Sequence, residues 1–156
     1  MQRSKRMRRP VAAVWLFLLI GLLGCGSIQL TAPYDQKIDE GVTNLQKMTA
    51  QFFTHIERQG GSSAEDYKNQ TKFYDDAKVM LSGILVRAQA LTNNTKTIQQ
   101  LEILGQQFQK LEQDHKTIGI SQAAVPQLEK AFNRTFTAIL TLEVAKKELK
   151  QEEANK

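Results

Sequence analysis

Residues 67–91, YKNQTKFYDDAKVMLSGILVRAQAL, decide the fold. Tyr67, Gln70, Tyr74, Ala77, Leu81, Ile84, Ala88 and Leu91 step by three and four in alternation, a seam-like heptad pattern with Gln70 its one polar member. A strand alternates every second residue, whereas one face of an α-helix recurs at this 3-4 spacing. Met80 and Leu85 widen the stripe, so this helix is expected to touch two neighbours. Ser63-Ala64-Glu65-Asp66 supplies a cap residue and first-turn acids, and Asn93-Asn94 closes the segment.

Outward from that seam the same periodicity returns. Tyr34, Ile38, Val42, Leu45, Met48, Phe52 and Ile56 mark a helix over about Tyr34–Gln59, stopped by Gly60-Gly61-Ser62-Ser63. Ile98, Leu101, Leu104, Phe108, Leu111, His115 and Ile118 mark a third over Thr95–Ile118, with Gly119 as its C-terminal cap. Val125, Leu128, Phe132, Phe136, Ile139, Leu142, Ala145 and Leu149 mark a fourth, with Pro126 in its first turn and residues 151–156 fraying. No stretch alternates with period two, so no strand is expected. Four helices of similar length with short turns imply an all-α, antiparallel up-down four-helix bundle. A three-helix bundle with a bent or merged pair is the alternative, and the seam of the second helix also suits coiled-coil self-association. Gly41, Gly83 and Gly105 fall inside helices at about 1 kcal/mol each against Ala. They read as close helix approach or as hinges around a ligand.

The N-terminus has a different character. Arg3, Lys5, Arg6, Arg8 and Arg9 precede an apolar run from Val11 to Leu23. At about 1.5 Å per residue the run spans roughly 20 Å, short for a membrane span and suited to a signal peptide. It ends Leu22-Leu23-Gly24-Cys25, which resembles the bacterial lipobox. That resemblance implies cleavage before Cys25, acylation of its thiol, and often acylation of the new amine. The same residues also allow an uncleaved signal anchor or an ordinary secretory signal. With Gly26 following the cysteine, the family pattern implies the outer membrane facing the periplasm in a diderm host. In a monoderm host it implies the outer face of the plasma membrane. The chain divides into a signal peptide at 1–24, a lipidated cysteine and tether at 25–33, and a helical body at 34–156.

Removing the signal changes the charge. The whole chain carries 21 Lys and Arg against 16 Asp and Glu, but five of the basic residues lie within residues 1–10. The body is therefore formally neutral, without the basic footprint of a nucleic-acid binder. Cys25 is the one cysteine, so no disulfide is possible within the chain.

Candidate sites are few. His115 falls on the apolar stripe of the third helix and His55 near the end of the first. In an up-down bundle the two lie towards the same end, which makes them the candidates for a metal or haem iron. Glu112 stands three residues before His115, but di-metal bundles repeat that motif on a second helix. Phe53 and Phe73 lie off the stripes and are candidates for a partner surface or for burial at a helix edge. GxSxG, SxxK and HExxH motifs are absent from the sequence. The expectation is a non-enzymatic, lipid-anchored envelope module, with no cofactor beyond the lipid on Cys25. It would dock an envelope protein partner. A small-ligand, metal or haem binder is the alternative.

Overall fold

The computed structural model describes residues 31–155, so the expected signal peptide, Cys25 and most of the expected tether lie outside the described residues. The chain is all-helical apart from one minor sheet. It contains α1 (Gln36–Arg58), β1 (Gly61–Ser62), α2 (Tyr67–Gln89), α3 (Thr95–Ile118), β2 (Ile120–Ser121), a 3-10 turn (Gln122–Ala124) and α4 (Val125–Ala154). Four separate helices form, not three, because the chain breaks completely between each pair. Gly60 and Gly61 leave α1 at φ +78° and +115°, Asn93 turns at φ +60° before α3, and Gly119 follows α3 at φ +78°. Each value lies in the left-handed region that ends a helix.

Those glycine turns also create what periodicity does not reveal. Gly61 pairs with Ser121 and Ser62 with Ile120, an antiparallel strap of two residues per strand. Strands this short carry no alternation to read. At the other end of α4 the helix continues to Ala154 instead of fraying after Leu149. Its last turns are rich in Ala, Glu, Lys and Gln, which hold helix without an apolar stripe.

Local signals explain the helix starts. Asp35 caps α1, accepting from Lys37 N at 2.8 Å and Ile38 N at 3.3 Å. Before α2, Ser63 N and Oγ both donate to Asp66 Oδ2, and Asp66 N donates back to Ser63 Oγ. This reciprocal capping box spans the turn just ahead of Tyr67. Pro126 occupies the first turn of α4, where its missing N–H is harmless.

Helix α1 packs against α2 and α4, and α3 packs against the same two. The core runs from Ile38, Val42 and Leu45 through Leu81, Ile84, Leu101 and Leu104 to Phe53, Phe108, Phe132 and Phe136. At one end the strap closes the core. At the other, Ala32 N donates to Asn93 O and Asp35 takes Arg87 Nε at 2.7 and 2.8 Å, so the chain joins the body beside the α2–α3 turn. Gly41 allows α1 to approach α2, since a Cβ there would stand 2.8 Å from Ile84 Cγ1. A Cβ at Gly83 would meet nothing within 4 Å.

Candidate functional site

Three features rise above ordinary core packing: a buried polar cluster at each end of the helices, and an apolar groove between α2 and α3.

At the strap end, His115 sits in the last turn of α3 with no exposed surface. Ser62 Oγ lies 2.8 Å from its Nε2, and the Tyr74 hydroxyl lies 2.8 Å from its Nδ1. A neutral imidazole has one donor and one acceptor nitrogen, and two hydroxyls satisfy both in either tautomer. The rings of Phe52, Tyr67 and Tyr74 surround it at centroid distances of 6.3, 5.7 and 5.8 Å. Burial holds the imidazole pKa below the ordinary histidine range, against the opposing pull of Asp66 and the Ser63 backbone. Burial also pushes the Tyr74 phenol up, so it stays protonated and able to donate. Next to this cluster, burial raises Glu112, but bonds from Lys116 and Tyr67 prevail and keep its carboxyl below the usual range.

His55 does not join His115. It is exposed on α1 in a shallow depression with Lys47, Ala50, Gln51, Thr54 and Arg58. One histidine is at the surface and both nitrogens of the other are engaged, so the two form no ligand pair. Among the described residues no group of three or more His, Cys, Asp and Glu is placed to hold a metal ion.

At the tether end, Lys146 of α4 is almost completely buried and uses all three ammonium hydrogens. They go to Asn94 Oδ1 at 2.6 Å, Thr97 Oγ1 at 2.8 Å and Glu143 Oε1 at 2.6 Å. Thr97 Oγ1 in turn donates to Glu143 Oε1 at 3.1 Å, and Asn94 Nδ2 donates to Ala88 O. Glu143 is fully buried, and its Oε2 has no partner among the described residues. The stripe expected through Leu142, Ala145 and Leu149 is therefore off by one position: Leu142 is half-buried and the other two are exposed, while Glu143 and Lys146 face inward. The signal for this was a seven-residue step. Val125, Phe132 and Ile139 lead to Lys146, and Phe136 leads to Glu143.

The groove between α2 and α3 encloses about 330 Å³. Leu81, Leu85, Leu101, Gly105 and Phe108 line it, with Lys78, Glu102, Gln106 and Gln109 on its rim. Gly105 deepens the wall, since a Cβ there would come within 3.4 Å of Leu81 Cδ2. Val79 and Val86, 72 % and 64 % exposed, extend the apolar surface around α2. They lie off the 3-4 seam, which is why periodicity passes over them.

Phe53 does not contribute to a surface. It is 1 % exposed and packs edge-to-face on Phe132 of α4, because α1 buries an arc wide enough for two neighbours. Phe73 is half-buried and stacks on Phe52 at 3.9 Å with an interplanar angle of 4°. It belongs to the α1–α2 seam.

No protein family, no curated protein and no solved structure matches this chain.

Proposed function

We propose that the protein is a lipid-anchored, non-enzymatic interaction module of the bacterial cell envelope, its body an antiparallel up-down four-helix bundle. Contacts that support this topology are Asp35 with Arg87, Phe53 with Phe132, and Thr97 with Lys146. Each joins the start of one helix to the end of its neighbour. The anchor is the acylated Cys25 implied by the lipobox resemblance. The membrane is the outer membrane in a diderm host and the plasma membrane in a monoderm one. Cys25 precedes Ala32 by seven residues, at most about 25 Å of extended chain. That keeps the tether end of the body near the lipid surface.

The observation that carries the interaction reading is the α2–α3 groove, on a helix that also exposes Val79 and Val86. An apolar trough of this size, rimmed by amides and single charges, suits an apolar helix of an envelope protein partner. The His115 cluster has its hydrogen bonds already made and holds helices in place. The Lys146 cluster leaves Glu143 Oε2 without a partner among the described residues and borders a depression lined by Asn94, Thr97, Lys146 and Leu149. No cofactor is required beyond the covalent lipid.

The experiment is a photo-crosslinker at Ser82, an exposed residue on the groove, in native membranes, with mass spectrometry of the products. The expected result is one stoichiometric envelope protein, lost in Gly105→Leu, which fills the trough, while membrane association remains. Recovery of lipid or a small molecule alone would overturn the reading in favour of a ligand binder. A Cys25→Ser chain should leave the membrane fraction.

A further inference from the structure

We propose that His115 is an acid-sensitive latch, and that its protonation releases the β1–β2 strap while the rest of the helical body stays folded.

The geometry makes one imidazole the fastening of three elements. His115 belongs to α3, its Nε2 meets Ser62 of β1, and its Nδ1 meets Tyr74 of α2. The strap fits tightly over it: at Gly119 a Cβ would stand 2.5 Å from Ser62 O. Elsewhere the strap is anchored by Ile120 of β2, which is buried in the core. The strap has two residues per strand, and Gln122 Nε2 reaches Glu57 O at a long 3.4 Å.

Protonation changes what the ring asks of its neighbours. The neutral ring accepts a hydrogen from one hydroxyl, whereas the cation donates from both nitrogens. The hydroxyl that had donated must turn, and its own hydrogen then needs a new acceptor inside the core. A positive charge also arrives among Phe52 from α1 and Tyr67 and Tyr74 from α2. The Ser63 backbone favours the charged ring; the charged groups around it are Asp66 at the start of α2, and Glu112 and Lys116 on α3, which engage the adjacent Tyr67. Asp66 is engaged with Ser63, and Glu112 with Tyr67 and Lys116. None of these charged groups bonds the ring directly. Lifting Ser62 away hydrates the ring without separating any helix pair.

The direction with pH follows from proton linkage. Burial keeps the latched ring neutral below the pH at which a free histidine, with a pKa near 6.5, takes its proton. Above about pH 6.5 latched and open forms bind equal numbers of protons and the strap is stable. Below it only the open form gains a proton, so the opening equilibrium rises about tenfold per pH unit until the latched ring itself titrates. Tyr74, which meets Nδ1, also lines the α2–α3 groove.

The test is hydrogen exchange on the full-length protein in mild detergent from pH 7.5 to 4.5, corrected for intrinsic rates. NMR titration of the His115 ring runs in parallel. Amides at 60–66 and 119–122 should open about tenfold more per unit below pH 6.5, and those of α1 from 38 to 50 should not. His115→Gln should flatten the response, and His55→Gln should leave it intact. Strap protection that stays flat while the ring titrates would overturn the latch, as would a response that survives in His115→Gln. If His115→Gln does not fold, the wild-type comparison of ring titration with strap opening decides alone.

Discussion

At the strap end the buried polar cluster is built on a neutral ring, His115, held by two hydroxyls. At the tether end it is built on an ion pair, Lys146 with Glu143, braced by Asn94 and Thr97. The first keeps every polar atom matched as long as no charge enters. The second begins with two charges, and its internal match is incomplete because Glu143 Oε2 stands alone among the described residues. A neutral buried cluster is open to a change of protonation. An ionic one is damaged most by loss of one partner, since the survivor is left as an uncompensated charge.

The largest expected effect separates the two ends directly. Glu143→Ala strands the Lys146 ammonium and should destabilise the protein by about 3–5 kcal/mol in urea unfolding. The double variant Glu143→Leu with Lys146→Met should recover most of that loss, because no charge remains buried. If the single and double variants are equally destabilised, the ion pair is not what distinguishes the tether end.

Next, His115→Ala should cost about 2–4 kcal/mol, from the lost ring volume and the two hydroxyls left without a partner. Its unfolding midpoint should also become less sensitive to pH between 6.5 and 5 than that of wild type. An unchanged pH profile would erase the difference between the ends.

Smaller effects show whether the ends are read separately or through the whole body. Gly41→Ala should destabilise by about 1–2 kcal/mol, as contact with Ile84 outweighs the gain in helix propensity. Gly83→Ala, with open space around it, should stabilise by up to about 1 kcal/mol. Neither should alter the contrast in pH response between strap and tether amides.

The helices were legible because their apolar steps are regular and their breaks carry Gly, Asn and Ser with a definite conformational reason. Helix α3 has the expected bounds, and α4 begins at the expected Val125. The strap was not legible, because two paired residues leave no period and its buried side-chain contact is with His115, fifty-three positions away from Ser62. For Phe53, burial at a helix edge is the reading that holds and the partner surface is not, because α1 packs against two neighbours. The buried Glu143 and Lys146 were hidden by the habit of giving core positions to apolar residues, although the heptad spacing of α4 leads to them. His115 was visible as a residue on the core stripe, but its partners Ser62 and Tyr74 lie on other elements and could be joined to it only by the fold. The groove arises between two helices and belongs to neither sequence segment alone.

Helix α4 has 30 residues and α3 has 24, about 45 Å against about 36 Å. Both run between the same two ends, as the contact of Asn94 with Lys146 and of Tyr34 with Lys147 requires. Some 9 Å of α4 therefore projects past its neighbours on the side where the chain joins the body. For a body anchored through Cys25, that projection is a bumper beside a short leash. In a body so anchored, the free end of α4 would reach the headgroup region ahead of the helix turns beside it.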